Sequence, residues 1–220
     1  MPNRLIIPVL TSGIVRLEPL DPSHTAGLRA AAVGARESVE YATVPTPETI
    51  DAFIADRLSR AADGTFWPMV QIDPASDEIL GATCFLAPRW WPHRERLLAI
   101  EIGGTWLGPA ARGTAVNSAA KLLLLGYAFE SLGVSRVDIK TDARNARACA
   151  GIRAVGATFE GVLRNWQPSD APGEEGRPRD TAMHAITAAD WPGVRPRLEA
   201  RIQAKLNRPG DTTVCPRGVR

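Results

Sequence analysis

The sequence predicts a mixed α/β domain with a mostly antiparallel central sheet flanked by helices. Short apolar or alternating segments bounded by turn residues predict about seven strands. Apolar residues at three- and four-residue spacing, several of them preceded by N-capping residues, predict the helices. The order is strand, two helices, three strands, helix, strand, helix, two strands and helix, which is typical of this class.

Composition and charge exclude several classes of protein. The 220 residues are 45% hydrophobic and 23% charged, which is ordinary for a globular domain with a core of its own. A net charge of +2 is too small to indicate nucleic acid or an anionic membrane as a partner. The 3 cysteines match no zinc spacing, and no apolar run approaches the ~20 residues that span a bilayer. We therefore expect a cytoplasmic location.

The first half of the chain is predicted to form two helices and four strands. Val15 to Leu20 alternates apolar and polar residues, which predicts a strand over about 14–20. Asp21-Pro22 is typical of an N-cap followed by proline, so we expect a helix from there to about Ala32. The same pattern predicts that a second helix begins at Thr46-Pro47. Three further strands are expected at 67–72, 79–86 and 97–106, the first two as a hairpin.

The second half contains the clearest helix of the sequence, Val116 to Leu132, with Gly133 where a C-cap belongs. Gly156 is expected to end another helix in the same way. We expect a single domain over 1–206 and a flexible tail over 207–220. The remaining predicted elements are strands at 136–140, 159–164 and 181–186, helices at 146–155 and 190–206, and a surface loop or hairpin tip over 169–179.

Residues 101–117 predict a phosphate-binding site. A strand leads into a turn that contains Gly108 and Gly113, and the turn leads directly into the long helix. This arrangement directs free backbone N–H groups and the positive end of the helix dipole at one place. The lysine-serine pair of a P-loop and the GxGxxG of a dinucleotide site are both missing. The alternative is a loop that needs its glycines only to turn.

Over residues 13–192 the sequence resembles the GCN5-related N-acetyltransferases (GNAT), in the branch that contains the ribosomal-protein-alanine N-acetyltransferases. The resemblance implies the GNAT fold, acetyl-CoA as the acyl donor and an amine as the acceptor. It rests on many short blocks in the right order rather than on any one of them. These blocks are residues 15–20, 105–107, 114–124, 128–133, 136–137, 140–142, Asn145, 156–157, 160–164, 179–181 and 190–192.

The family's phosphate signature is Gln or Arg, two residues, Gly, one residue, then Gly or Ala. Ala110 occupies the first position here, whereas Gly113 and Ala115 fit the others. The departure removes a side-chain contact but leaves the backbone N–H groups. The residues that the resemblance and the helix geometry assign to coenzyme A are Thr105, Trp106, Leu107, Gly108, Arg112, Gly113, Thr114, Ala115, Asn117, Lys121 and Asn145.

Several of these residues have simpler alternative roles. Asn117 could cap the N–H groups of its own helix instead of contacting the cofactor. Lys121 is either a cation for a phosphate or an ordinary solvated lysine. Asn145 matches the asparagine that binds the pantetheine arm in this family, and it is also placed to be the N-cap of the next helix.

The catalytic step is expected to need a base and an N–H donor for the thioester oxygen. Glu101, on the strand before the turn, is the expected base, and its alternative role is an edge carboxylate facing solvent or pairing an arginine. Gly103 and Gly104 are compatible with the bulge that frees the N–H donor in this family. His93 is a second titratable residue nearby, more typical of a surface histidine.

The group that protonates the departing thiolate is not evident. The family often has a serine three residues after the asparagine, but Ala148 stands there, and the neighbouring Cys149 projects in another direction. Water or Tyr127 are the alternatives.

Three functions are compatible with these patterns. The first is an N-acetyltransferase acting on a primary amine, either a protein N-terminal α-amine or a small-molecule amine. The second is a catalytically silent acyl-CoA-binding or sensing protein, and the third, suggested only by the basic C-terminus, is a nucleic-acid-binding module. The acceptor is expected between the first two helices, a loop with Trp90 and Trp91, and the 166–180 excursion. Those aromatics could equally support a homodimer.

Overall fold

Eight strands form one sheet in the order β1-β2-β3-β4-β5-β6-β8-β7. The computed structural model describes residues 5–37, 39–42, 44–92, 96–169, 171–174 and 176–207. Every pair of neighbouring strands is antiparallel except β5 with β6, which is parallel. The strands are β1 Leu10–Thr11, β2 Arg16–Pro19, β3 Phe66–Ile72, β4 Ile79–Trp90, β5 Leu97–Leu107, β6 Arg136–Asp142, β7 Thr158–Pro168 and β8 Pro178–Thr187.

Five α-helices accompany the sheet within the described residues. In the described part of the chain, no helix has the length and apolar character needed to cross a membrane. A 3-10 turn, Pro22–His24, precedes α1, and a π-helical turn, Tyr127–Ser131, continues α3. The helices are α1 Thr25–Ala31, α2 Ile50–Ala62, α3 Val116–Gly126, α4 Ala146–Val155 and α5 Trp191–Leu206.

The sheet separates two apolar clusters. The larger one packs α3 and α5 against strand residues such as Ile100 and Ile102, both fully buried. The smaller one packs α1 and α2 against the other face, where Trp106 contacts Phe53 edge-on with ring centroids 6.3 Å apart. Glu101 lies between Ile100 and Ile102, so its side chain projects to the face opposite theirs.

The sequence signals at three helix ends, Asp21, Gly133 and Gly156, are confirmed. The Asp21 side chain accepts a hydrogen bond from the Ser23 N–H at 2.9 Å, which caps the turn that leads into α1. Gly156 ends α4 in the left-handed region with φ of +111°. Gly133 also has positive φ, +61°, after the π-helical turn. The predicted order of seven strands is likewise confirmed.

Several boundaries differ from the prediction. The second helix begins at Ile50 rather than Thr46, because residues 47–49 form a turn without a side-chain cap. Arg89 and Trp90 belong to β4 instead of a loop, since pairing with β5 continues as far as Trp90–Leu97. An eighth strand, β1, is too short to show alternation. His93, the second titratable candidate, lies outside the described residues. So do residues 208–220 of the predicted tail.

Gly81 on β4 lies against the backbone at the end of β5. A Cβ added there would be 2.2 Å from the Trp106 carbonyl oxygen, and the residue has φ of +153°. Gly161 on β7 has a similar φ, +148°, but a Cβ added there meets nothing within 4 Å. We predict that Gly81→Ala lowers the free energy of unfolding by about 2 kcal/mol more than Gly161→Ala, because only Gly81 faces backbone that cannot move aside. Urea unfolding of both variants measures the difference, and equal losses would contradict the prediction.

Candidate active site

The turn between β5 and α3 presents a row of unpaired backbone N–H groups. After β5 the chain passes through Gly108 and a short 3-10 turn, Pro109–Ala111, before α3 begins. The N–H groups of Gly113, Thr114, Ala115 and Asn117 donate to no other described residue. Together with the helix dipole, these donors form a site suited to a phosphate group.

Side chains of the turn support its shape. The Thr114 hydroxyl donates to the Ala111 carbonyl at 2.7 Å and accepts from the Val116 N–H at 3.3 Å. Gly113 has φ of +80°, which a residue with a Cβ rarely adopts. Thr114 therefore stabilises the turn just before α3, and its hydroxyl is engaged before any ligand binds.

Arg112 was expected to contact the cofactor, but its guanidinium binds backbone carbonyl groups. Nε donates to the Leu107 carbonyl at 2.9 Å, and a terminal nitrogen donates to the Ala35 carbonyl. Burial lowers the pKa of this guanidinium. The side chain ties the end of β5 to the segment after α1, so it supports the turn.

Asn117 contributes a buried polar atom without a partner among the described residues. Its side-chain oxygen, Oδ1, is inaccessible and accepts no hydrogen bond. An amide oxygen left in this state costs free energy, so a ligand that offers a donor would be favoured there. Asn117 lies in the first turn of α3, beside the free N–H groups.

The strands β5 and β6 separate directly after Glu101. Their parallel pairing covers only Ala99–Arg136, Ile100–Val137 and Glu101–Asp138. Beyond this point β5 stays paired with β4 on its other side and β6 with β8. A V-shaped gap therefore opens toward the same end of β5 as the phosphate site, and its edges carry unpaired backbone groups.

A bulge lies in β5 next to this gap, as the paired glycines predicted. Gly103 pairs with Cys84 and Trp106 pairs with Ala82, so two residues of β5, Gly104 and Thr105, oppose one residue of β4. Gly104 has φ of +55°, and a Cβ there would lie 2.9 Å from the Cys84 sulfur. Glycine at this position is therefore required by the bulge.

Glu101 is buried at the point where the strands diverge. Its Oε2 accepts a hydrogen bond from Lys140 Nζ at 2.7 Å, and only 7% of its side chain is exposed. Burial raises the pKa of this carboxyl group, and the Lys140 ammonium partly offsets the effect. The alternative of a solvent-facing edge carboxylate is wrong, and its partner is a lysine rather than an arginine.

Lys121 is a buried lysine, so the alternative of a solvated side chain is wrong. Its Nζ donates to the Thr105 hydroxyl in the bulge at 2.7 Å, and that hydroxyl lies 2.8 Å from the hydroxyl of Thr83. Burial lowers the pKa of Lys121 to about 8. The ammonium therefore lies beside the bulge.

Two residues near the expected position of the thioester have partners in the protein. Asn145 Oδ1 accepts from the Ala148 N–H at 2.9 Å, so this side chain is the N-cap of α4. The Tyr127 hydroxyl donates to the Ile6 carbonyl at 3.2 Å, which engages the proton it was expected to offer. Cys149 is buried, and burial raises the pKa of its thiol.

The 166–180 excursion meets the segment after α1 at the end of β6. Arg144 donates to Asp142 at 2.7 Å and to Glu174 at 2.8 Å, and its guanidinium lies 4.7 Å from the ring centroid of Tyr41. Trp90, expected nearby, pairs instead with Leu97 at the end of β5 remote from the phosphate site. Of the three segments expected around the acceptor, the one after α1 and the 166–180 excursion are therefore adjacent, whereas Trp90 is not next to them.

Sequence reasoning missed Lys140 and Lys205. Lys140 contacts a residue 39 positions away, and only the parallel pairing of β5 with β6 brings the two together. Lys205 donates to the carbonyls of Gly113 and Thr114 from the far end of the chain. No local pattern marks either contact.

Comparison with known proteins agrees with this geometry. Residues 15–158 match the sequence profile of the acetyltransferase (GNAT) domain. Among curated proteins, no sequence matches the chain. The chain therefore belongs to the GNAT acetyltransferase family, as the sequence blocks predicted, and it is an acetyl-CoA-dependent N-acetyltransferase.

Solved structures with the same fold include three that share most of the chain. An acetyltransferase from T. thermophilus is 30% identical, with a TM-score of 0.72 over 90% of this chain and 98% of its own. A GCN5-related N-acetyltransferase from Brucella melitensis is 25% identical, with a TM-score of 0.72 over 91% and 86%. RimJ from Mycobacterium smegmatis, solved with CoA-disulfide, is 20% identical, with a TM-score of 0.68 over 86% and 90%, and shares the fold.

Replacement of Lys121 by methionine tests the cost of burying its charge. The folded-state pKa of about 8 lies below the ordinary value of 10.5. Below pH 8 the lysine is charged in both states, so the folded protein carries the full penalty, and the penalty disappears as pH rises to 10.5. We predict that Lys121→Met is more stable than the parent by about 3 kcal/mol at pH 7.

Urea unfolding at several pH values between 7 and 10.5 measures this difference. The stability difference between variant and parent should stay near its full size up to about pH 8 and then shrink toward pH 10.5. The other titratable groups, common to both proteins, cancel in the comparison. A difference that is constant or grows with pH would contradict the buried ammonium.

Proposed function

We propose that this acetyltransferase transfers the acetyl group to a primary amine by direct attack of the amine on the thioester. The observation that carries the proposal is the separation of β5 and β6 directly after Glu101, with the free N–H groups at the end of the same strand. A buried carboxylate, a gap with unpaired backbone groups and a row of free N–H groups thus follow one another along β5 and the turn after it. The amine needs the carboxylate as a base, the thioester needs backbone groups in the gap, and the diphosphate needs the free N–H groups.

The residues present fit coenzyme A. The backbone N–H groups of Gly113, Thr114 and Ala115 would hold its diphosphate. The unpartnered Asn117 oxygen would accept a hydrogen bond from an N–H or O–H donor elsewhere on coenzyme A. The backbone of Thr105 to Leu107 would line the pantetheine arm. Acetyl-CoA supplies the acyl group in activated form, as a thioester.

Glu101 is the proposed base. An amine must lose its proton to attack, and its ordinary pKa is about 8 or higher. Burial makes the Glu101 carboxylate more basic than an exposed one by raising its pKa, and the ion pair with Lys140 partly offsets that effect. Glu101 would accept the proton directly or through a water molecule.

The bulge in β5 provides the proposed donor for the thioester oxygen. Gly104 and Thr105 lie outside the regular ladder with β4, so a backbone N–H in this stretch can face the gap. A donor fixed before the reaction stabilises the negative charge that develops on that oxygen. Since Ala148 has no hydroxyl, we propose that water protonates the departing thiolate.

The acceptor site is proposed beside Tyr41, Arg144 and Glu174, where two segments converge at the end of β6. Both acceptor classes, a protein N-terminal α-amine and a small-molecule amine, are compatible with a primary amine reaching Glu101 from this side. A panel of N-terminal peptides and small amines assayed with acetyl-CoA distinguishes them by which members release free CoA.

Glu101→Gln tests the role of the base. We predict that its kcat falls by roughly 10²- to 10³-fold, because the amide cannot accept the proton, while its Kd for CoA changes by less than about twofold. The acid limb of the kcat/KM profile, which reports protonation of Glu101, should disappear in the variant. Release of free CoA and isothermal titration measure the two quantities.

Glu160→Gln is the matched control, because Glu160 is also a strand carboxylate in an ion pair, with Arg136, but lies on the edge strand β7. Its rate should equal that of the parent. A fully active Glu101→Gln would refute the base. If the parent binds CoA but acetylates no amine of the panel, the proposed transfer to a primary amine is contradicted and the catalytically silent alternative is favoured.

A further inference from the structure

Helix α5 runs antiparallel along α3 and joins its two ends. At its start Trp191 stacks on Phe129, with ring centroids 5.5 Å apart, and its indole N–H donates to Glu130 at 2.8 Å. At its other end, Lys205 Nζ donates to the carbonyl oxygens of Gly113 at 3.0 Å and Thr114 at 2.6 Å. The 16 residues of α5 span about 24 Å, the length needed to reach from the end of α3 to its beginning.

The contact with Lys205 fixes the direction of the peptide groups that form the phosphate site. In a trans peptide the C=O and N–H bonds point in opposite directions, and all described peptide bonds are trans. The Gly113 carbonyl shares its peptide group with the Thr114 N–H, and the Thr114 carbonyl with the Ala115 N–H. An ammonium that holds both carbonyls on one side therefore directs both N–H groups to the other side, away from α5.

The Lys205 contact adds a restraint at Gly113 that local packing does not provide. Gly113 is exposed, has φ of +80° and has no atom within 4 Å of an added Cβ, so local packing restricts it little. Donors that are already held in place bind a ligand more tightly, because less conformational entropy is lost on binding. The ammonium also adds positive charge next to the first turn of α3, where an anion would lie.

Docking of α5 itself does not require Lys205. The helix is anchored by Trp191, Val194, Leu198 and Ile202, all at most 6% exposed. Lys205 lies in the last turn, beyond this apolar row, and its ammonium contacts the turn of residues 113–114. The side chain can therefore be changed while the helix stays in place.

We infer that Lys205 is a positioning residue for coenzyme A, which orients the Thr114 and Ala115 N–H groups toward the diphosphate. The inference rests on the proposed placement of the diphosphate at the start of α3. It concerns a part of the chain beyond residues 15–158, which match the family profile. Binding of the diphosphate thus depends on a helix that lies outside the matched region.

Lys205→Met tests the inference, since methionine keeps the apolar part of the side chain and removes the charge. Arg201→Met is the matched control, because Arg201 is an exposed cation one helical turn earlier on α5. Each protein is assayed for CoA affinity by isothermal titration and for transfer from acetyl-CoA and from S-acetylpantetheine, which lacks the diphosphate. Far-UV circular dichroism checks that α5 remains folded, and Lys205→Gln serves as a second variant.

We expect Lys205→Met and Lys205→Gln to weaken CoA binding by about tenfold and to raise the KM for acetyl-CoA by a similar factor, as for the loss of a charged hydrogen bond. The kcat/KM with S-acetylpantetheine should stay unchanged, and Arg201→Met should resemble the parent. Unchanged CoA affinity in both Lys205 variants would overturn the inference, as would an equal loss with S-acetylpantetheine. Failure of the parent itself to bind CoA would instead overturn the proposed CoA site.

Discussion

The separation of β5 and β6 after Glu101 is the constraint on which the rest of the site depends. Two parallel strands that part leave backbone N–H and C=O groups unpaired, and such groups are costly when buried. The sheet tolerates the gap because each strand stays paired on its outer side, β5 with β4 and β6 with β8. The gap therefore lies between β5 and β6, the only parallel pair among the described strands.

The bulge in β5 lies beside the same gap, and Lys121 contacts the bulge from α3. A bulge re-aims the backbone of β5, and Gly104 makes it sterically possible. The Thr105 hydroxyl that it directs inward is hydrogen-bonded by a lysine that burial destabilises. The fold would be more stable without the buried Lys121 charge, and residues that lower stability in this way are typical of functional sites.

The features that could be predicted from the sequence are those that depend on neighbouring residues. Apolar periodicity and glycine ends predicted α3 and α4, and paired glycines predicted the bulge, because each depends on neighbouring residues. The sequence could not predict that Glu101 meets Lys140 or that Lys121 is buried, because strand pairing and helix docking decide those contacts across 39 and 16 positions. The short strand β1 escaped detection because two residues cannot show alternation.

The proposed phosphate site depends on local sequence signals and on long-range contacts together. Its free N–H groups follow from a local strand-turn-helix pattern, but the shape of the turn depends on Arg112, which reaches Ala35, and on Lys205, which reaches it from α5. Ala110, where the family has Gln or Arg, contributes no side chain to a ligand. Lys205 therefore brings a cation, from outside the local pattern, to a turn in which Ala110 offers no polar side chain, and its two hydrogen bonds hold the Gly113 and Thr114 carbonyls on one side.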